Sequence, residues 1–347
     1  MKKILQDLSY GELENLILSL GEKKFRAKQL YDGLMRGKSI SKINISPALR
    51  ESLLKDYENE PVKIIKTLTS SDGTEKYLMQ LADGNIIESV FMRYNYGNTQ
   101  CVSTQVGCRM GCKFCASTLG GLVRNLTSGE ILSEVLTVNA LHGGGGAKRA
   151  VTNIVLMGSG EPLDNYQNVI KFLRSVSDEI GINVSPRNIS LSTCGIVPEI
   201  YNLAEEGLPV NLTISLHSPT DEGRARTMPI AKKYSVSEIL KACDYYFKKT
   251  GRRYIFEYSL IADENCGREH AEKLISLLKG KPCHVNLIRL NEVEERDLKT
   301  VTEKQAYQFL GSLEKGGLSA TIRRSMGNDI AGACGQLRAS HLKTTER

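Results

Sequence analysis

The spacing of apolar and polar residues changes character twice along this chain. From about residue 99 onward, short apolar runs of strand length alternate with longer stretches of helical period. The runs cover 100–106, 153–158, 188–193, 211–217, 254–260 and 284–290. The helical stretches lie near 128–141, 165–177, 198–206, 235–249, 267–279 and 302–315. Six strands alternating with helices predict an α/β fold with a parallel sheet under covering helices. Folds of that kind place their chemistry at the C-terminal ends of the strands.

The first 60 residues have a helical period instead. Ser9 and Glu12 stand at capping-box spacing before the apolar positions Leu13, Leu16, Ile17 and Leu20. A second amphipathic stretch, about 25–35, carries Lys23, Lys24, Arg26 and Lys28 in or beside it. These charges fit an ordinary solvated face equally with a basic surface for a polyanion such as RNA. Between 62 and 93 the runs V-K-I-I-K-T-L-T, E-K-Y-L-M-Q-L and N-I-I-E-S-V-F-M-R are strand-like. Asp72-Gly73 and Asp83-Gly84 separate them as hairpin signals. The expected organisation is a helical accessory domain over 1–60, a β-meander linker over 61–98, the βα region over 99–318 and a C-terminal extension over 319–347. No repeat is visible, and the glycines at 143–146 suggest a flexible loop. They do not match a phosphate loop, since no Ser or Thr follows Lys148.

Composition narrows the class. At 347 residues and 41% hydrophobic content the chain can bury a large core. No run of about 18 apolar residues suggests a membrane helix. The start, M-K-K-I-L-Q-D-L-S, is charged too early for a secretory signal, which predicts a cytoplasmic protein. A net charge of +7 favours a polyanionic partner only weakly. The nine cysteines are more telling. In a reducing compartment they point to metal binding or catalysis rather than to a disulfide framework.

Three of them form Cys108-Arg-Met-Gly-Cys112-Lys-Phe-Cys115, directly after the first strand of the βα region. Three thiolates on one loop can hold three irons of a cubane cluster and leave the fourth open. A zinc site would need a fourth ligand, and Cys101 in the preceding strand is the available candidate. The second strand ends in Gly158-Ser159-Gly160-Glu161-Pro162. There glycines would let the backbone approach a ligand, and the carboxylate could pair with an ammonium group. Ser192, then Ser215, Leu216 and His217, then Asn291 end or follow the third, fourth and sixth strands. Each alone reads as a capped turn or a satisfied polar group; together they sit on one rim. Small residues flank Cys334 and suggest exposure and mobility. For both Cys334 and Cys101 a buried, inert thiol is the other reading.

The C-x3-C-x2-C loop, with Phe114 before its last cysteine, resembles the signature of the radical S-adenosylmethionine (SAM) superfamily. The stretches C-V-S-T-Q-V-G-C-R-M-G-C-K-F-C-A-S-T-L-G-G, L-M-G-S-G-E-P-L-D-N-Y, S-L-H-S-P-T-D-E, R-T-M-P-I, H-V-N-L-I and A-C-G-Q-L resemble the RlmN/Cfr family. The likeness runs nearly end to end. It implies a partial (β/α)6 radical SAM barrel, with a [4Fe–4S] cluster on Cys108, Cys112 and Cys115. It implies SAM held by Gly160, Glu161, Ser192, Ser215, Leu216, His217 and Asn291. The reaction implied is methylation at C2 of adenosine 2503 in 23S rRNA and adenosine 37 in certain tRNAs, the C8 outcome of the sister enzymes being the alternative. Two SAM molecules are used per turnover. Cys334 takes a methyl from the first, and a deoxyadenosyl radical from the second removes a hydrogen from that methyl. The carbon radical adds to the base, Glu88 accepts a proton, and Cys101 resolves the adduct, leaving a Cys101–Cys334 disulfide. A one-electron donor such as flavodoxin and a monomeric state are implied as well. The chemistry is reasonable, because C2 of adenine is not nucleophilic and a covalent tether keeps the radical near its target. The target nucleotide would have to leave its stack. Basic side chains of the N-terminal domain and the C-terminal tail would then hold phosphates. Relatives often carry Ser where Cys194 stands. Cys243, Cys266 and Cys283 read as structural. A zinc-stabilised RNA-binding module is the non-enzymatic alternative.

Overall fold

The structure is a computed structural model that describes residues 2–145 and 148–337. Gly146 and Ala147 of the glycine loop, and residues 338–347 of the C-terminal tail, lie outside the described residues. Helix α1 (Tyr10–Ser19) starts on the expected box: Ser9 accepts from Glu12 N, and the Glu12 carboxylate accepts from Ser9 N. Helix α2 (Phe25–Met35) follows, and α3 (Pro47–Asp56) starts on Ser46. The basic residues about α2 are largely offset by local acids. Lys24 meets Glu14 at 3.0 Å, Lys28 meets Asp32 at 3.3 Å and Arg26 meets Glu22 at 3.9 Å. An ordinary solvated face therefore accounts for most of that charge.

Strands β1 (Val62–Thr69), β2 (Glu75–Leu81) and β3 (Ile86–Tyr94) form the antiparallel meander. Strand β3 also pairs antiparallel with β4 (Gly97–Cys101), so the meander is hydrogen-bonded into the main sheet. The run expected as one strand over 100–106 is in fact two. After β4 the chain leaves the sheet and resumes as β5 (Gln105–Gly107), paired antiparallel with β6 (Leu122–Asn125). The cause is local. Gly158 N donates to Val102 O, while Thr104 N and Gln105 N both donate to Ser159 O. These loop contacts replace the ladder, and a Cβ on Gly158 would lie 2.6 Å from Val102 O.

The remaining elements are α4 (Ser128–Leu141), β7 (Asn153–Leu156), α5 (Tyr166–Val176), β8 (Ile189–Thr193), α6 (Val197–Glu205) and β9 (Asn211–Ser215). Then come α7 (Asp221–Thr227), α8 (Val236–Thr250), β10 (Tyr254–Leu260), α9 (Arg268–Leu278), β11 (Cys283–Arg289), α10 (Glu303–Lys315) and β12 (Ala320–Ile322). The strands β4, β7, β8, β9, β10 and β11 lie side by side, all parallel, as the alternation predicts. β12 adds a seventh parallel strand against β11, inside the stretch expected to be extension. Three residues are too few for a periodic signal.

One apolar core joins Leu13, Ile17 and Leu30 of the N-terminal helices to Ile154, Leu212 and Phe256 of the strands. Each such fully buried side chain stabilises the fold by about 1.5–3 kcal/mol. Polar contacts cross the same junction: Tyr31 Oη donates to Asp178 at 2.9 Å, and Gly129 N donates to Asp7 at 2.6 Å. Among the described residues no helix is long and apolar enough to cross a membrane.

Candidate functional site

Two adjoining cavities open beside the C-terminal ends of the parallel strands. The smaller is walled by Cys108, Cys112 and Cys115, with Gly160, Glu161, Ser192, Ser215 and His217 facing them. The larger, about 530 Å³, is walled by Cys101, Tyr94 and Arg323 among others. Met157, Ile288, Leu290, Asn291 and Cys334 belong to both walls. Cys334 thus stands at the junction between the three loop cysteines and Cys101.

The cysteine loop is built by local constraints. Gly107 takes φ +76°, and a Cβ there would lie 2.0 Å from Gly121 O. That approach lets β5 and β6 pinch the loop, with Cys108 N donating to Gly121 O at 2.9 Å. Thr118 Oγ1 donates to Cys112 O at 3.1 Å and to Cys115 O at 2.9 Å, and receives Arg296 Nη2 at 3.1 Å. Burial pushes the Cys108 thiol up to about 12 and raises Cys112 and Cys115 as well. Such thiols ionise when a metal supplies the compensating charge. Among the described residues no three of His, Cys, Asp and Glu converge on a point that a single ion could occupy. Three thiols spread along one cavity wall suit a cluster, which offers each its own iron.

The opposite wall is polar and tightly hydrogen-bonded. Glu161 is buried, and burial raises its pKa against hydrogen bonds from Cys194 N at 2.7 Å and Leu163 N at 3.0 Å. Its own N–H donates to Gln105 Oε1 at 2.9 Å. Gly160 takes φ +106°, and its Cβ would lie 2.6 Å from Gln105 Cβ. The glycines here admit another stretch of the chain as well as lining the cavity. His217 has φ +54° and accepts Ser259 N on Nδ1 at 2.9 Å, which leaves Nε2 to carry the proton. Its ring meets Phe114 edge-on at 4.6 Å, locking the cysteine loop to the end of β9. Burial, helped by the Arg224 charge, lowers its pKa to about 3, so the ring is neutral. Leu216, between Ser215 and His217, is placed differently from them. Its side chain is fully buried, its N–H goes to Glu257 O, and its carbonyl accepts Arg224 Nε. It does not reach the cavity wall.

Cys334 is exposed on the cavity wall, as its small neighbours suggest, and its loop is tied down on several sides. Ala116 N donates to Gly335 O at 2.7 Å and Ser117 Oγ to Leu337 O at 2.9 Å, joining this loop to the cysteine loop. Asn291 Nδ2 donates to Cys334 O at 3.1 Å. The protein around the cavity raises the Cys334 pKa, while the Arg323 guanidinium pulls it back. Cys101 is buried beside Val90 and Leu337, and burial raises its thiol strongly. Both cysteines are free thiols, as is every cysteine here.

Glu88 lies in β3. It is 2% exposed and paired with Lys76 Nζ at 2.9 Å. By strand alternation it shares a face with Val90 and Met92, which line the larger cavity, although Glu88 itself does not. Cys194, set aside in the sequence, packs with Cys112 and Met228 in the smaller cavity wall. Sequence reasoning missed three further residues. Arg323 bonds Glu257 at 2.6 Å and reaches Met157 Sδ at 3.5 Å. Arg224, fully buried, donates to Cys194 O at 2.8 Å and to Leu216 O at 3.0 Å. Lys76 also donates to Ala331 O at 3.1 Å. The one available signal was arginine just beyond a strand end, in I-R-R-S-M-G.

Known proteins bear on this arrangement. Residues 102–277 match the family model described as the Radical SAM superfamily. The chain is 53% identical to "Probable dual-specificity RNA methyltransferase RlmN" of Clostridium perfringens (strain 13 / Type A), over 99% of each chain. It is 49% identical to the protein of the same name from Lachnoclostridium phytofermentans, over 98% of this chain and 96% of that one. A crystal structure of a radical SAM methyltransferase from Sphaerobacter thermophilus superposes with a TM-score of 0.93 at 39% identity. That match covers 97% of this chain and 99% of the other. The cofactors of this superfamily are a [4Fe–4S] cluster and SAM, and the three loop cysteines and the polar wall opposite fit them. The chain belongs to the radical SAM superfamily and, within it, to the RlmN family of RNA methyltransferases.

Proposed function

We propose that this enzyme methylates C2 of adenosine in 23S rRNA and tRNA through an S-methyl group on Cys334. The observation that carries the reading is the place of Cys334, on the shared wall of a cavity holding the three loop cysteines and a cavity holding Cys101. A thiol that must first accept a methyl and then present it to a base needs access to both. Bound there, cluster and SAM supply a single electron and a deoxyadenosyl radical; Cys108, Cys112 and Cys115 would hold the cluster.

The rest belongs to the protein's own groups. Arg323 favours the Cys334 thiolate, the form that attacks a sulfonium methyl. Glu161, Ser192, Ser215, His217 and Asn291 are the wall against which SAM would be oriented. Neutral His217 offers Nε2–H as a donor, and the Asn291 amide positions the Cys334 carbonyl. Glu88 is the proposed acceptor for the proton leaving C2, and Lys76 fixes it on the strand face that continues into the larger cavity. The Cys101 thiolate would attack the Cys334 sulfur; the bond from that sulfur to the methylene carbon would break, its electron pair taking up a proton to complete the methyl on the base, and an external dithiol would reduce the resulting disulfide before the next turnover. Placing two thiols on one cavity wall supports that step by proximity.

The test is anaerobic reconstitution with SAM, a one-electron reductant and unmodified RNA, followed by mass spectrometry of the nucleosides. We expect 2-methyladenosine, with Cys334→Ala abolishing it. Cys101→Ala should accumulate protein covalently bound to RNA. 8-Methyladenosine as the product, or full activity in Cys334→Ala, refutes the assignment.

A further inference from the structure

We infer that Tyr94 and Tyr96 form a stacking platform for a nucleotide next to the one being methylated. The inference rests on the RNA adenosine reading above and adds a site to it. Strands β3 and β4 meet at a two-residue turn, with Tyr94 opposite Gly97. Gly97 is demanded by that turn: it has φ +131°, and a Cβ would lie 2.4 Å from Thr152 Oγ1. The turn projects Tyr96, which is 75% exposed, the most exposed large hydrophobic side chain among the described residues. The two rings are stacked at 4.9 Å with 9° between their planes. The pair is therefore ordered and leaves one aromatic face bare.

The surroundings indicate what would cover it. Tyr94 and Tyr96 line a groove with Asn153, Asn211, Arg187 and Arg323. The described residues lining that groove include both of those arginines and no carboxylate. Arg187 is exposed and has no ion-pair partner among the described residues. Asn153 and Asn211 open β7 and β9, so the groove lies at the N-terminal ends of the parallel strands. It shares Met92, Tyr94, Val155 and Arg323 with the cavity that holds Cys101 and Cys334. A base drawn into that cavity from this side would leave its neighbour on the strand over the tyrosine pair. Aromatic faces, amides and a guanidinium free of an ion pair among the described residues, here that of Arg187, are the chemistry that recognises unstacked RNA. A protein partner would call for a wider apolar surface than one ring.

The chain contains no tryptophan, which makes the test clean. Tyr96→Trp places a single indole on the platform. We expect unmodified tRNA transcript or unmodified 23S rRNA to quench its emission, and SAM alone to leave it unchanged. Tyr96→Ala should raise the KM for RNA by about 5- to 150-fold, the range for loss of one base–aromatic stack. The kcat at saturating RNA and the methyl loading of Cys334 should hold, and Tyr96→Phe should restore the KM. Arg187→Ala should lower the salt dependence of RNA binding by about one unit of slope. The inference is overturned if Tyr96→Ala leaves KM within twofold. Unmoved Tyr96→Trp emission during active methylation overturns it as well. If the unsubstituted enzyme methylates no RNA, the reading beneath it fails first, and that outcome is distinct from both.

Discussion

Replacing Lys76 with methionine tests how the meander supports the loop that bears Cys334. Lys76 and Glu88 face each other on adjacent strands at 2.9 Å, with side chains 4% and 2% exposed. The same ammonium donates to Ala331 O, three residues before Cys334. Removing it takes an ion-pair partner away from a buried carboxylate, a loss of about 3–5 kcal/mol. An unfolding entropy of about 2.1 cal/mol/K per residue puts 1 kcal/mol at roughly 1.4 °C for a chain of this length, so Tm should fall by about 4–7 °C. Lys76→Met/Glu88→Leu removes both charges and should recover most of that loss, because apolar replacement of a buried pair is nearly neutral. Stability would return in the double variant while adenosine methylation would not, since the proposed proton acceptor is gone. Calorimetry and denaturant titration of the two single variants and the double variant supply the cycle. A Lys76→Met variant within 1 kcal/mol of the parent refutes the reasoning. Additive losses in the double variant refute it too.

Three further outcomes are expected. Glu134 is fully buried, and burial raises its pKa well above the usual carboxylate range against one hydrogen bond from Ser103 N. Its stabilising protonated form is fully favoured below the unfolded pKa near 4.5 and becomes a cost as pH rises through the folded value. Glu134→Gln should therefore match the parent near pH 4 and exceed it near pH 8 in denaturant titrations; equal behaviour at both sinks the argument. His217, held neutral with a pKa of about 3, stays unprotonated in the fold while the unfolded chain takes up a proton near pH 6.5. Stability should fall as pH drops between those values, and His217→Asn should flatten that slope. Asn tolerates a φ of +54° and can accept Ser259 N. Gly160→Ala meets both a positive φ and Gln105, so a loss of at least about 1–3 kcal/mol is expected, with weaker SAM binding by calorimetry. Unchanged stability there would mean the turn is free to relax.

What could be read from the sequence was what is local. The strand ends, the capping boxes and the cysteine loop each lie within a few residues, and their periods and spacings express them directly. The residues around Cys334 do not. Ala116 meets Gly335 and Lys76 meets Ala331 across more than two hundred residues. Lys76 sits in E-K-Y-L-M-Q-L, where a charged residue at an alternating position reads as solvent-facing. It is buried because the C-terminal loop covers the strand face that period two would leave wet. Glu88, its partner on β3, is buried on the same covered face. Leu216 shows another long-range effect: its N–H donates to Glu257 O and its carbonyl accepts from Arg224, partners its place at a strand end does not reveal.

The covering of that face changes what the meander is for. The hairpin turn after β1 grips the loop before Cys334 at three points. Asp72 accepts Gly327 N at 3.0 Å, Ser70 Oγ donates to Asp329 at 2.5 Å, and Ser71 N donates to Asp329 at 3.0 Å. Lys76 adds Ala331 O, and from the other side the cysteine loop takes Gly335 and Leu337. Each hydrogen bond contributes only about 0.5–1.5 kcal/mol net. Distributed over both flanks of a short segment, they set where the Cys334 sulfur stands relative to the three loop cysteines and to Cys101. The proposed route, in which this thiol meets a sulfonium methyl and then a base within the reach of one side chain, depends on that placement. The meander is therefore part of the scaffold of the Cys334 loop, and damage to its hairpin should reach the proposed chemistry without touching the three loop cysteines.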